Sequence, residues 1–268
     1  MTPRGRGVPS PAFVLHRYDW SETSLILDLF TRDQGRITVA AKGAKRPYSQ
    51  LRPVLLPFQR IQVTLSRPKS DEPADVLTLR GAEWAGGAPM LGGAALFSGF
   101  YLNELMMKLL ARGDAHPVLF DAYTATLPAL AAEHDTLTQA ALRAFEIVLL
   151  RETGLLPQLD ALTATQQPLL ADRRYVLRPE VGIAPHAQGE GALSGALLRQ
   201  MQQALDEGDL RGLQTACAQG LAGLKTSLRQ TLHYHLGSAR LRTRDVMMAS
   251  QQLMERPPAA TTESEPAP

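Results

Sequence analysis

The hydrophobic pattern of this chain changes period once, at Gly86-Gly87-Ala88-Pro89. That change limits the possible folds more than any other feature. Before it, apolar and polar residues alternate, which is the period of a strand. After it, apolar residues recur at three- and four-residue spacing, which is the period of a helix.

The first strand runs from Ala12 to Tyr18. A second begins at Ser21 in SETSLILDLFT, where Leu25, Leu27 and Leu29 share one face and Ile26, Asp28 and Phe30 the other. Arg32-Asp33-Gln34-Gly35 supplies a turn, so this strand and the next, Arg36 to Lys42, form a hairpin. Phe58, Ile61, Val63 and Leu65 mark a fourth strand in Pro57 to Ser66. Val76, Leu77 and Leu79 mark a fifth in ADVLTLRGAEW. Short strands without intervening helices predict a small closed β-barrel, because closure removes the exposed edges of a short sheet. An OB-type barrel is the leading expectation over residues 11–84, and an SH3-like barrel satisfies the same strand count.

Beyond the boundary, residues 90–254 are expected to be mainly helical, which makes the fold class α+β. Helices are predicted over Gly93 to Arg112, His116 to Ala132 with Pro128 as a kink or break, and Thr138 to Thr153. Gly154 and Pro157 stop the third. Residues 159–186 carry Pro168, Pro179, Pro185 and a strand-like RRYVLRP, and read as an irregular insert with one β-hairpin. Helices resume at Leu193 to Leu205, from Leu210 to about His235, and at Thr243 to Met254. Residues 1–10 read as a disordered arm and 255–268 as a disordered tail.

Charge is distributed unevenly. Residues 1–81 hold 13 Lys and Arg against 7 Asp and Glu, a net of +6, while the whole chain is only +2. The basic character therefore belongs to the barrel, where a local field attracts a polyanion whatever the total charge. It is densest in QGRITVAAKGAKRPYSQLR, where Arg36, Lys42, Lys45, Arg46 and Arg52 occur without an intervening acid. AKRPYSQLR reads as a mobile loop with Tyr48 near its tip. Cations for phosphates beside a ring for stacking are what a groove for single-stranded nucleic acid requires. A solvated loop is the alternative. With Arg32 added, the cations are expected to line one face of the barrel and its loop. Arg17 and Arg60 lie in the same domain, on faces the sequence does not assign.

A second basic group, Arg240, Arg242 and Arg244, follows Gly237. In an extended segment its spacing would align all three cations for a second DNA contact. A salt-bridged helix start, pairing with Asp245 and Glu255, is the other reading.

Cys217 is the only cysteine, which excludes an intramolecular disulfide and a multi-cysteine zinc site. No segment reads as a signal peptide or a membrane span, so a cytoplasmic, nucleoid-associated protein is expected. The histidines at 116, 186, 233 and 235 do not share a ligand-like spacing. Asp19, Glu22, Asp28 and Asp33 read as turn and strand residues rather than a two-metal cluster, and AAKGAKRP lacks the Gly-Lys-Ser/Thr ending of a phosphate loop. No catalytic residues, metal or cofactor are expected.

AFVLHRYDWSETSLILDLFTRDQGRITVAAKGAKRPYS resembles the N-terminal domain of RecO, the bacterial recombination mediator. The resemblance continues in order through SGFYLNELMMKLL, HPVLFDAYTATLPAL, ALRAFEIVLLRETGLLPQLD and HLGSARLRTRDVMM, covering roughly residues 11–254. It implies an OB-fold joined to a helical domain, binding of single- and double-stranded DNA, and annealing of complementary strands. It further implies contact with the C-terminal tail of single-strand-binding protein and, with RecR, loading of RecA onto coated DNA. Many members carry a cysteine zinc motif in the region of residues 159–186, and this sequence resembles the zinc-free branch. Capture of an acidic tail needs an apolar pocket with a cation at its rim, for which Lys108, Arg112, Arg143 and Arg151 are candidates. The competing functions are a non-catalytic OB-fold RNA-binding protein and a protein-docking adaptor.

Overall fold

The computed structural model describes residues 8–66, 76–87, 90–132, 134–186, 191–237, 241–243, 245 and 246. The expected N-terminal arm falls mostly outside these residues. Arg240, Arg244, most of the final helix and the tail also lie outside them.

Strands β1 (Ser10–Asp19), β2 (Leu25–Thr31) and β3 (Gly35–Ala41) form an antiparallel meander. β4 (Gln59–Leu65) pairs antiparallel with both β1 and β5 (Leu77–Gly87). A short parallel pairing, Val39 with Leu77 and Ala40 with Thr78, closes the barrel in the order β1-β2-β3-β5-β4. This order answers the question that strand count left open, and the barrel is of the OB type.

The alternation read in β2 is realised. Leu27 and Leu29 point inward with Val14, Val39, Ile61 and Val63. Phe30 points outward and is nevertheless fully buried, because helices pack over that side. Residues 42–58, between β3 and β4, were expected to begin with a mobile loop. The loop is built of successive turns, with Arg46, Ser49 and Arg52 amides donating to the carbonyls of Gly43, Arg46 and Ser49. Ala44 and Leu55 are buried in the barrel core and anchor these turns.

The helical body begins with α1 (Gly93–Leu109), α2 (Pro117–Ala131) and α3 (Asp135–Glu152). Pro128 lies in the last turn of α2 and does not break it. Every residue of α3 from Ala140 to Leu150 is buried, so α3 is the axis around which the body packs. The insert holds the expected hairpin, β6 (Arg174–Arg178) with β7 (Gly182–Pro185). A further strand, β8 (Leu193–Ser194), adds to the other edge of β6.

α4 (Gly195–Asp206) starts at Ser194, whose hydroxyl accepts from the Leu197 amide and so satisfies one of the free donors of the first turn. The single helix expected from Leu210 to His235 is corrected to two, α5 (Leu210–Gln219) and α6 (Leu221–His235). Gly220 ends one and starts the other. A Cβ there would lie 2.6 Å from Leu197 Cδ2, so a larger residue at this turn would push the leucine methyl aside.

One hydrophobic core joins barrel and helices. Phe13 lies 5.2 Å from Phe120 and 4.9 Å, edge-on, from Tyr123, and Phe30 lies 5.5 Å from Phe120. Tyr123 in turn meets Phe145 of α3 at 5.9 Å. Ring pairs of this geometry add to the area they bury.

Candidate nucleic-acid interface

The hairpin of β2 and β3 separates the cations that the sequence groups together. Arg32 and Arg36 sit at its turn, against the helical body. Lys42 sits at the far end of β3, six residues and roughly 20 Å from Arg36 at the rise of a strand.

At the turn, Arg32 donates from Nε and Nη2 to the two Asp121 oxygens at 3.2 and 2.9 Å. That forked bond raises the affinity of the guanidinium for its proton. Arg36 is half-buried and donates to the Met107 carbonyl. Burial lowers its pKa, and the nearby Asp28 carboxylate opposes that effect. Both side chains thus tie the barrel to α1 and α2.

At the far end the cations are freer. Lys42, Arg46 and Arg52 are exposed, and Tyr48 is 95% exposed. Lys45 is the exception. Its ammonium meets Asp19 at 2.9 Å and the Ser21 carbonyl at 3.1 Å, stitching the β1–β2 turn to the segment after β3. Beside it lies an open groove lined by Arg17, Pro47, Tyr48, Ser49, Gln50, Arg52, Pro53 and Leu56. No acidic side chain lines it. Arg17 is held there by a 3.2 Å bond to the Leu55 carbonyl.

The sequence left Arg17 unassigned and passed over Trp20 and Tyr18, which are 58% and 44% exposed. The run HRYDW at the end of β1 was the available signal. It places two large rings and a cation beside a turn, where they cannot all be buried. Arg60 lies directly opposite Phe13, on the side that faces the helices.

The outward side of the β1–β2–β3 sheet carries a second polar cluster. Asp28 is buried beneath it, accepts from Thr38 Oγ1 at 3.0 Å, and lies 3.9 Å from Arg112 Nη2. Arg112 reaches this sheet because the segment after α1 pairs with the start of β3, where the Gly113 amide donates to the Arg36 carbonyl at 2.9 Å.

Of the other tail-pocket candidates, Lys108 lies 3.8 Å from Glu104 and Arg151 lies 3.0 Å from Asp206. Arg143 is buried and pairs with fully buried Glu146 at 2.7 Å, and Tyr101 donates to the same carboxylate at 2.7 Å. Burial pushes the Glu146 pKa up, against the opposing pull of Arg143 and Tyr101. Burial likewise raises the Cys217 thiol to about 12, which makes it inert packing. In the second basic group Arg242 is exposed. Its amide donates to Glu104 Oε1, while Thr243 donates to Oε2 from its amide and hydroxyl at 3.0 and 2.6 Å. Among the described residues no group of His, Cys, Asp and Glu is placed to hold a metal ion, and no helix is long and apolar enough to cross a membrane.

Residues 8–83 match the family model described as recombination protein O N terminal, and residues 92–245 match recombination protein O C terminal. A closed OB-type barrel packed on a helical body, with both parts matched in this order, defines a protein of the DNA repair and recombination class. The chain is 52% identical over 252 residues to the DNA repair protein RecO of Variovorax paradoxus, covering 91% of this chain and 96% of the relative. It is 50% identical over 255 residues to that of Verminephrobacter eiseniae, covering 94% and 100%. It belongs to the RecO family.

Proposed function

We propose that this protein is a recombination mediator that binds single- and double-stranded DNA and anneals complementary strands. With RecR it helps load RecA onto DNA coated with single-strand-binding protein. It works in the cytoplasm at the nucleoid and performs no bond chemistry of its own.

The observation that carries this reading is the far end of the barrel. Lys42, Arg46 and Arg52 stand exposed around the projecting Tyr48 ring, with Arg17 across an acid-free groove. Cations with no competing carboxylate release counterions from a bound backbone, and the ring offers a sequence-tolerant stacking surface. Arg32 and Arg36, engaged with Asp121 and Met107, support the path by holding the barrel on the helices. Arg242, with Arg240 and Arg244, adds a second contact that lets one molecule hold two strands. The tail of the single-strand-binding protein docks on the helical body, with its carboxylate met by a cation drawn from Lys108, Arg112 and Arg151, while Arg143 stays with Glu146 in the core.

The test is annealing of complementary oligonucleotides precoated with the cognate single-strand-binding protein, intact or lacking its C-terminal tail. Acceleration only with the tail present supports the whole reading. Acceleration with both forms keeps the DNA-binding barrel and removes the tail pocket. No acceleration with either returns the protein to the RNA-binding or adaptor alternatives.

A further inference from the structure

The outward side of the β1–β2–β3 sheet differs in chemistry from the groove at the barrel's end. The registers set its side chains in rows across three strands. Tyr18 lies opposite Ile26 and Ile26 opposite Ala40, and in the next row His16 lies opposite Asp28 and Asp28 opposite Thr38. Tyr18 and His16 are both exposed, with ring centroids 4.4 Å apart in an edge-to-face arrangement. Burial, with the Asp28 carboxylate beside it, pushes the Tyr18 phenol above its ordinary pKa. Asp28 is itself fixed by Thr38 and faced by Arg112. The carboxylate is therefore covered, and what meets solvent is a ring pair with the Arg112 guanidinium, 57% exposed, at its helical side.

We propose that His16 and Tyr18 form a base-stacking platform specific for single-stranded DNA, with Arg112 of the helical body holding the backbone as the strand leaves the barrel. This rests on the DNA-binding reading above and adds a second, selective site to it. The selectivity follows from stacking. In a duplex the base faces are occupied by neighbouring bases, so rings on a protein gain little from it, whereas an unpaired strand can turn its bases onto them. The cations at the barrel's end attract both forms alike, since phosphates carry no such distinction. The platform then biases the protein toward unpaired strands, and its loss leaves general DNA affinity in place.

The experiment measures binding of the full chain to a single-stranded oligothymidylate and to a hairpin duplex of equal phosphate count, at one salt concentration. Tyr18→Leu is expected to weaken the single-stranded complex by about tenfold and leave the duplex complex within about twofold. Tyr18→Phe, which keeps the ring, is expected to retain the single-strand preference. Arg112→Ala should weaken single-strand binding with a smaller salt slope than the intact chain. Thermal melting of each variant separates folding from binding. Equal loss for both DNA forms in Tyr18→Leu, or no loss in either, overturns the platform while the unmodified chain still binds. An unmodified chain that binds neither form overturns the DNA-binding reading, and the platform with it.

Discussion

The Asn103 amide of α1 donates to the Leu15 carbonyl of β1 at 3.0 Å, across 88 positions of chain. The register of β1 slips between Val14 and His16, which leaves Leu15 without a partner on β2. A bulge residue of this kind needs its carbonyl satisfied from elsewhere. Asn103 does so, and its own Oδ1 accepts from the Tyr123 hydroxyl. Asn103→Leu, nearly equal in shape, strands two buried groups and should cost about 3 kcal/mol in chemical denaturation. Tyr123→Phe should cost less, because it removes one bond and leaves one lone pair unmet. A loss below about 1 kcal/mol for Asn103→Leu would mean that water reaches the site.

The Arg143–Glu146 pair makes the opposite kind of prediction for its single and double variants. Arg143→Met leaves Glu146 charged in the core of the helical body and should destabilise by about 3–5 kcal/mol, while adding Glu146→Leu should recover most of that loss. If both variants are equally unstable, packing rather than charge explains the pair.

The raised pKa of Glu146 fixes a pH dependence. An acid whose folded value lies above its unfolded one favours folding while protonated. Its stabilising contribution is complete below the unfolded value and lost as pH rises through the folded value. Stability curves of the intact chain and of Glu146→Gln should therefore converge at low pH and part as pH climbs through that window.

Glu104 behaves in reverse. Burial alone would raise its pKa, but bonds from Thr243 and the Arg242 amide, together with Lys108, hold it below the usual carboxylate value. The docking of residues 242 and 243 on α1 is thus at full strength above the unfolded value and is lost as pH falls through the folded one. In Glu104→Gln, amide exchange at Arg242 and Thr243 should quicken about tenfold at neutral pH, the size expected for charged hydrogen bonds.

The barrel-end groove predicts a salt dependence. Replacing Lys42, Arg46 and Arg52 together by Ala should reduce the slope of log affinity against log salt for a single strand by about 2, at roughly 0.7 per phosphate contact. Melting temperature should hold, since all three side chains are exposed. An unchanged slope would place the backbone elsewhere on the molecule.

Local periodicity revealed the five strands, the break at Gly86-Gly87-Ala88-Pro89 and most helix spans, because each depends on neighbours in sequence. Closure through the parallel β3–β5 pairing does not, and no pattern within either strand announces it. Among the site residues, the cations were legible as cations while their partners were not. Arg32 finds its carboxylate 89 positions away, and Lys45 finds Asp19 beyond the whole β2–β3 hairpin. Arg143 was more readable than it looked: Glu146, one helical turn on inside an apolar run, was a signal that the two neutralise each other in the core. Gly35 was read as the end of a turn. Its φ of +62° agrees, but a second constraint lay out of reach of sequence, since a Cβ there would fall 1.6 Å from the Asp114 carbonyl oxygen.

The rings that Phe13 and Phe30 push out of the barrel also govern how the molecule fails. Barrel and helices meet through Phe120 and Tyr123, so a change in this ring cluster bears on both at once. A lesion deep in α3 reaches the seat of the barrel through Phe145 and Tyr123. Robustness and fragility are pooled across that seam.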